Sequence, residues 1–531
     1  MLKRGPLDTV LDGIAAWVSG LTYDDIPGRI REHARLQILN MVAAVLSGRY
    51  YGSQSTMIPG NISGGDATIL ATGRKTNAEY AAFVNALYSM SFDFDDYLFM
   101  GHTGHSAVLV PLSMAEEAGL AVQDLIVAQV AANEVEGRLG ASVLLGHHNG
   151  QMWSYIHAAG AAVAASKLMG LTAEQTASAV ALVLYQPNYP LAPGFMKSDS
   201  KLLTASIPLM SGMLCARLAR TGMNGNTDIL GARNGFLQRF AYLPLPHMLS
   251  GFGRWWVTDT IAFKPYPGCA YIDTAIDSVQ SILAEYLQKT GRRLAPQDIE
   301  RVDVSANILS MGMNALSEAY DDGRLHPVNI NFSIPKSIAL TLLHGSLQAG
   351  HLSGDMLARH GHDILALSKK VRLSHDWQYT LKMQSSFYRS LGGRFVLGDA
   401  GVFRLIGAFR KIRKDLPPAS LGISGFLKAW RGLPAADRKA VKEGMMRKHD
   451  HVMMDTFIFS FGARVCIATT GGQVYEAESI VPKGASPHDR KEVVLDKLSR
   501  APGIGTKTGD LYGLLGDQMP VREFVKYIQA A

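Results

Sequence analysis

The sequence has 531 residues, 47% of them hydrophobic and 18% charged, a composition typical of a folded globular protein rather than a disordered one. A chain of this length exceeds a single compact core, so we expect two or three domains. The three cysteines, Cys215, Cys269 and Cys466, are widely spaced, which argues against a disulfide framework and against a cysteine-rich zinc site.

The sequence has neither of the usual signals for membrane targeting. The N-terminus lacks a basic region followed by an apolar core, and no run approaches the roughly 18 apolar residues of a membrane span. Together with the few cysteines, this predicts a cytoplasmic protein without a membrane-spanning segment.

The net charge of +7 is concentrated in one part of the chain. Residues 371–448 contain 16 Lys/Arg against 5 Asp/Glu. Such a surplus could attract nucleic acid, a membrane or an acidic partner. No nucleic-acid motif accompanies it, so we interpret the segment as a solvated face and expect no nucleic-acid partner.

The first half of the chain has the pattern of a helical bundle. Apolar residues recur at helical spacing from Leu7 to Trp17 and from Ile30 to Val42, and residues 79–222 are almost wholly helical in pattern. Thr172, with Gln175 three residues later, predicts the start of one of these helices. Five or more apolar helices in succession predict a bundle.

The character of the chain changes after the proline-rich turn at residues 264–268. Strand patterns at Ile299–Ser305 and Ala463–Thr470 occur among helical patterns at Ala275–Lys289 and Ile334–Leu343. Strands mixed with helices are typical of an α+β domain.

These changes predict a mainly α protein with a second, α+β domain. We place the helical domain at residues 1–262 and the α+β domain at 263–495. A basic insertion interrupts the second domain at about 373–452, and residues 496–531 are expected to pack back on the helical domain.

One stretch of thirteen residues is the strongest candidate for chemistry. It contains the carboxylates Asp93, Asp95 and Asp96 and the imidazoles His102 and His105. Carboxylate and imidazole together make a general acid/base pair, because histidine titrates near neutral pH. A single aspartate between two helical segments is more often a helix cap. The five groups together indicate a functional site.

Two lysines in apolar surroundings, Lys201 and Lys264, are candidates for the same site. Burial of an unpaired ammonium group is costly, so these lysines need anionic partners. Their convergence with the acidic stretch would create a site for a substrate that carries several carboxylates. Alternatively, Lys201 caps a helix or extends its side chain so that the ammonium group reaches solvent.

Other common site types have no support in the sequence. His147, His148 and His157 lie close together, but no HExxH pattern and no carboxylate at helical spacing accompany them, so we expect no metal. The glycine-rich signatures of nucleotide binding and the G-x-S-x-G signature of serine hydrolases do not occur.

A series of motifs, in the same order along the chain, resembles the MmgE/PrpD family. These motifs are A-A-F-V-N-A from Ala81 with D-F-D-D from Asp93, G-A-A-V-A-A-S-K-L-M-G-L from Gly160, the lysine motif at Lys201, G-M-N-G from Gly222, F-K-P-Y-P from Phe263, N-F-S-I-P from Asn331 and V-P-K-G from Val481. Any one match is weak, but their order is distinctive. Members of the family include 2-methylcitrate dehydratase, cis-aconitate decarboxylase and iminodisuccinate epimerase.

The resemblance implies a large helical domain plus a smaller α+β lid, usually in a homodimer, with no metal or organic cofactor. It implies a site between the domains that binds di- or tricarboxylates. The catalytic residues that we predict are His105, Lys201, Lys264 and Asp93, and the substrate-binding residues are Asp96, His102, Gln151, His157 and Tyr320.

Three positions depart from the family pattern. The family's H-P dipeptide is His105-Ser106 here, and His102 is a rival for its histidine. A second family histidine falls on Gln151, and a third falls near Asp273.

The residues and the resemblance together predict a cofactor-independent lyase, a dehydratase or decarboxylase, acting on a small di- or tricarboxylate. A base, predicted to be His105, removes a proton alpha to a carboxylate, and the lysines stabilise the enediolate-like charge. An epimerase would use the same proton abstraction. A non-catalytic binding or scaffold protein on the same fold is the contrasting hypothesis.

Overall fold

The computed structural model describes residues 9–51, 64–147, 152–391, 402–415, 423–446 and 452–530. From Val10 to Phe240 the described chain is mainly α-helical. Its helices are Val10–Gly20, Gly28–Ser47, Ala78–Met90, Gly104–Ala107, Leu109–Ala118, Val122–Ser142, Ser154–Leu168, Ala173–Tyr185, Ala192–Lys197, Leu203–Arg220 and Phe236–Phe240.

Local sequence explains where individual helices begin. The Thr172 hydroxyl accepts a hydrogen bond from the Gln175 amide, and the Gln175 side chain accepts one from the Thr172 amide. These reciprocal bonds satisfy amides that have no partner within the helix. The helix start predicted at Thr172 is therefore confirmed.

A four-stranded sheet forms the centre of the second part of the chain. Its strands, in spatial order, are Val371–His375, Ile299–Ala306, Ala463–Thr469 and Val474–Ser479. The first two are parallel and the other pairs are antiparallel. The helices of this part are Asp273–Thr290, Ile308–Ala319, Pro327–Ile330, Ile334–His344, Gly354–Ser368, Trp377–Leu391, Val402–Asp415, Ile423–Gly432 and Ala435–Met446.

Two hydrophobic cores correspond to these two parts. One is built from the helices of the first part, and the other contains sheet residues such as Val302 and Val465. The structure is thus a large helical domain plus a smaller α+β domain, as the sequence predicts. The exact boundaries at 262 and 495 stay a prediction.

The chain returns to the helical domain at its C-terminal end. The helices Arg490–Ser499, Thr508–Gly513 and Val521–Gln529 follow the sheet. Leu498 and Phe524 are buried in the same core as the first helices. The helix Arg490–Ser499 also contacts the acidic stretch, because Lys497 Nζ donates to the Phe94 carbonyl oxygen.

Two short two-stranded ladders complete the described strands. Ala67–Ile69 pairs with Arg74–Thr76, and Asp96–Tyr97 pairs with Ala262–Phe263. The second ladder matters for the site, because it joins the acidic stretch to the segment that carries Lys264.

Among the described helices, the segment Asp199–Arg220 has the length and apolar composition of a membrane span. Its most apolar window is 56% buried inside the protein. Gly212 of this helix packs directly on the helix Ser154–Leu168, so one face of the segment lies against the helical core.

Gly212 sets the distance between these two helices. A Cβ atom added at Gly212 would lie 2.3 Å from the Ala158 carbonyl oxygen and 2.7 Å from the Ala161 Cβ. We expect Gly212→Ala to lower the free energy of unfolding by roughly 1–3 kcal/mol, because the helices must separate. Urea denaturation followed by circular dichroism measures the change.

The matched control is Gly13→Ala, in the exposed part of the helix Val10–Gly20. A Cβ atom there meets nothing within 4 Å. Alanine is the better helix former, so this variant should gain up to about 1 kcal/mol. Equal effects of the two substitutions would contradict close packing at Gly212.

Candidate active site

The acidic stretch and Lys264 are joined by backbone pairing. Asp96 pairs with Phe263, and Tyr97 pairs with Ala262, in an antiparallel ladder. The Lys264 amide also donates to the Asp95 carbonyl at 3.4 Å. The KPYP segment therefore delivers its lysine beside two of the predicted carboxylates.

Asp93 is held between two lysine ammonium groups. Lys201 Nζ lies 2.9 Å from Asp93 Oδ1, and Lys264 Nζ lies 3.8 Å from Asp93 Oδ2. The backbone of Asp93 has φ +56°, a left-handed conformation that aspartate tolerates better than most residues. Such strain persists only where the surroundings enforce it, and the two lysines supply that constraint.

Asp95 is the centre of the second group of contacts. Its Oδ1 lies 2.5 Å from Lys264 Nζ, and its Oδ2 lies 2.8 Å from His102 Nδ1 and 3.1 Å from His105 Nε2. One buried carboxylate thus bonds one lysine and both predicted histidines.

The two histidines have different surroundings. His105 is fully buried, and its second nitrogen, Nδ1, lies 2.7 Å from Ser89 Oγ. The His102 side chain is 14% exposed, and its Nε2 has no hydrogen-bond partner among the described residues. Burial lowers the pKa of His105 although Asp95 opposes this, which favours a neutral ring.

The aspartates and lysines of the site hold each other in the charged state. Burial by itself would raise the pKa of Asp93, but Lys201 and Lys264 outweigh it and lower the value. The pKa of Asp95 lies well below its usual range because Lys264 and His102 likewise outweigh burial. Burial opposes the charge of Lys264, yet the two carboxylates raise its pKa. Two anions and two cations therefore balance.

Asp96 differs from Asp93 and Asp95 because its pKa is raised rather than lowered. Burial and the neighbouring Asp95 raise the pKa of Asp96 to about 7. Gln37 donates to its Oδ2 at 2.8 Å, and its Oδ1 has no partner within the described part of the chain. Asp96 therefore points into the helical core rather than toward Lys201 and Lys264.

Lys497 is a third buried lysine at this loop, and it is absent from the residues predicted from the sequence. Its Nζ donates to the Phe94 carbonyl oxygen, donates to Asn40 Oδ1 at 2.8 Å and lies 3.8 Å from the centre of the Phe94 ring. Burial lowers its pKa to about 7. A lysine within a surface-type helical pattern gave no signal in the sequence.

His157 lies beside His105 with its ring at 5.8 Å in an edge-to-face arrangement. Its Nδ1 lies 2.7 Å from Ser106 Oγ, which also lies 2.8 Å from Glu136 Oε1. All three side chains are buried. Ser106 and Glu136 are further site residues that the sequence did not single out.

The remaining predicted residues are less directly connected. Gln151 lies outside the described residues. Tyr320 packs at the edge of an apolar cluster with Phe195 and Phe332, whose ring centres lie 5.6 and 5.4 Å from Lys201 Nζ. Near Lys264, Asp273 is fully buried with both carboxylate oxygens unpartnered among described residues, and burial raises its pKa well above the usual value.

No group of three or more His, Cys, Asp or Glu side chains in the described residues has an arrangement that could hold a metal ion. His148 of the predicted histidine group lies outside these residues. The site that the structure assembles consists of carboxylates, imidazoles and ammonium groups.

Comparison with known proteins gives one family match and several relatives. Residues 12–244 match the MmgE/PrpD N-terminal domain. Cis-aconitate decarboxylase of Aspergillus terreus is 24% identical over 311 residues, which cover 53% of this chain and 62% of the relative. The cis-aconitate decarboxylases of Mus musculus and Homo sapiens are both 27% identical, over 60% and 64% of their lengths. The chain thus spans less than two thirds of these relatives.

The pKa of Asp96 predicts a dependence of stability on pH. This pKa rises from 3.8 to about 7 on folding, so the folded state binds the proton more tightly. The resulting stabilisation is present below pH 3.8 and is lost as the pH rises through about 7. Asparagine has no carboxyl group to titrate, so Asp96→Asn does not lose stability in this way. The stability of the variant relative to wild type should therefore increase between about pH 4 and pH 7.

Urea denaturation at several pH values within that window measures the trend. Asp24→Asn, at an exposed aspartate, is the control and should give a difference from wild type that is nearly independent of pH. A constant offset between Asp96→Asn and wild type would contradict the raised pKa.

Proposed function

We propose that this chain is a lyase of the MmgE/PrpD family that acts on a small di- or tricarboxylate, because residues 12–244 match the N-terminal domain of that family. In this proposal the reaction begins with removal of a proton alpha to a carboxylate. Loss of water or of carbon dioxide then completes it. The cis-aconitate decarboxylases among the relatives support this class of reaction.

The observation that carries the proposal is the Asp95–His102 pair. Ionised Asp95 accepts the Nδ1 proton of His102, which leaves the Nε2 lone pair as the basic atom. The partial exposure of His102 lets this nitrogen meet a substrate. A carboxylate that orients an imidazole in this way is a common arrangement for a general base.

His105, the base predicted from the sequence, fits a supporting role better. One of its nitrogens is engaged by Asp95 and the other by Ser89, and the ring has no exposure. We therefore assign proton abstraction to His102 in this proposal. His105 helps to hold the Asp95 carboxylate in position.

The buried lysines would stabilise the negative charge that develops after proton abstraction. Lys201 and Lys264 are rigidly placed by Asp93 and Asp95, so no reorganisation is needed when the charge appears.

The proposal predicts exchange of a carbon-bound proton with solvent. Citrate, methylcitrate, aconitate and amino-dicarboxylates, each incubated with the protein in deuterated water, form a suitable panel. We expect His102→Gln to slow deuterium incorporation by roughly 10²–10⁴-fold, because a general base contributes about that much. Nuclear magnetic resonance of the substrate measures the rate.

His147→Ala, at an exposed histidine, is the control and should retain the wild-type rate. Loss of exchange in a folded His105→Ala variant, with wild-type exchange in His102→Gln, would return the role of base to His105. Exchange with inversion but without elimination would indicate an epimerase. Binding of a carboxylate without any exchange would favour a non-catalytic binding protein.

We also propose that the protein is a homodimer that associates through the helix Leu203–Arg220. Leu203, Ile207 and Leu214 on this helix are 38%, 43% and 56% exposed. A row of exposed apolar side chains on one helix is typical of an interaction surface.

Ile207→Glu should convert this dimer to a monomer, because a carboxylate at the interface lacks a partner. Light scattering at micromolar concentration measures the mass. Leu287→Glu, at a similarly exposed position of the helix Asp273–Thr290, is the control and should remain dimeric. A monomeric wild type would contradict the proposal.

A further inference from the structure

The side chains of Glu136, Ser106 and His157 form a continuous buried chain beside His105. Ser106 Oγ lies 2.8 and 3.0 Å from the two carboxylate oxygens of Glu136 and 2.7 Å from His157 Nδ1. All three come from different helices: Val122–Ser142, Gly104–Ala107 and Ser154–Leu168. Their contact therefore depends on the tertiary packing of the bundle.

The packing makes specific room for the Glu136 carboxyl group. A Cβ atom added at Gly160 would lie 1.7 Å from Glu136 Oε1. Glycine at position 160 is thus required for the carboxyl group to reach Ser106. No lysine or arginine pairs with Glu136 among the described residues, whereas Glu134, on the same helix, lies 3.0 Å from Arg138.

The number of protons determines how the three groups bond. A serine hydroxyl has one proton to donate, and its oxygen accepts from other donors. If Glu136 is a carboxylic acid, it donates to Ser106 Oγ, and Ser106 donates to His157 Nδ1. His157 then carries its proton on Nε2, the nitrogen that has no hydrogen-bond partner in the described part of the chain.

We propose that Glu136, Ser106 and His157 are a proton relay that fixes His157 as a donor through Nε2 and supplies a proton to the site. Burial raises the pKa of Glu136 well above its usual value, which favours the carboxylic acid form that donates to Ser106. Burial likewise keeps the pKa of His157 well below its usual value, with His105 and His102 acting in the same direction. A neutral acid and a neutral ring are what the relay requires.

The transfer balances as a movement of one proton. His157 releases its Nε2 proton to the substrate, and its Nδ1 receives the hydroxyl proton of Ser106. Ser106 in turn receives the carboxyl proton of Glu136. Glu136 ends as a carboxylate and His157 ends protonated on Nδ1, and a proton from solvent restores the starting arrangement. No electrons are transferred.

The delivery step rests on the proposed lyase function, in which a proton donor must assist the leaving group or protonate the carbanion. His105 contacts both groups: its ring lies 5.8 Å from the ring of His157, and its Nε2 lies 3.1 Å from Asp95 Oδ2. The relay and the proposed base, His102, are therefore connected through His105 and Asp95. In this proposal His102 removes a proton, and His157 supplies one.

The first test concerns the position of the proton and needs no substrate. Nuclear magnetic resonance of the full-length protein labelled with ¹⁵N-histidine should show His157 protonated on Nε2 alone at neutral pH. Ser106→Ala should remove this preference, since Nδ1 loses its donor. Ser142→Ala is the control, because the Leu139 carbonyl oxygen is the only partner of this buried hydroxyl among the described residues. An Nδ1-protonated or doubly protonated His157 in the wild type would overturn the relay.

The second test separates proton supply from positioning. Glu136→Gln keeps a group that donates to Ser106, so the Nε2 proton of His157 should remain in the spectrum. The variant has no acid proton to release. Incorporation of a solvent-derived proton into the product should therefore slow by roughly 10²-fold or more, while the affinity for substrate is kept. Wild-type rates in Glu136→Gln would overturn the relay. If the wild-type protein is inactive toward every carboxylate, only the proposed lyase function is contradicted. The spectrum of His157 still shows whether its proton lies on Nε2, as the relay requires.

Discussion

The structure depends on one set of interactions, in which three buried lysines hold residues 93–95 of the acidic stretch. Lys201 and Lys264 bind the carboxylates of Asp93 and Asp95, and Lys497 binds the Phe94 carbonyl oxygen. Removing one partner of a buried ion pair typically costs roughly 3–5 kcal/mol, because the other charge is left without compensation. The acidic stretch is therefore coupled to the three segments of the chain that carry these lysines.

The same burial gives neighbouring carboxyl groups opposite states. Asp93 and Asp95 are ionised because lysines outweigh the effect of burial, whereas the pKa values of Asp96 and Glu136 are raised because nothing nearby outweighs it. Groups whose environments separate their pKa values in this way can serve as acid and base in one site. The proposed base and the proposed relay follow from that separation.

The sequence predicted the fold where the signals were local. The helical bundle, the cap at Thr172 and the change to an α+β domain all follow from spacing and turn residues within short windows. The strands Val371–His375 and Val474–Ser479 were not predicted. Both lie at the edges of the sheet and expose alternate residues, so their patterns are weak.

The sequence by itself determined which residue types could do the chemistry, because the acidic stretch and the motifs around Lys201 and Lys264 are recognisable in short segments. Only the tertiary structure decided how these residues divide the work. Lys497 and Phe94, which are hydrogen-bonded, are 403 residues apart in the sequence. Glu136 reaches Ser106 only because Gly160, on the neighbouring helix Ser154–Leu168, leaves room for its carboxyl group. Whether a histidine is enclosed like His105 or partly open like His102 depends on packing from distant segments, which no local pattern records.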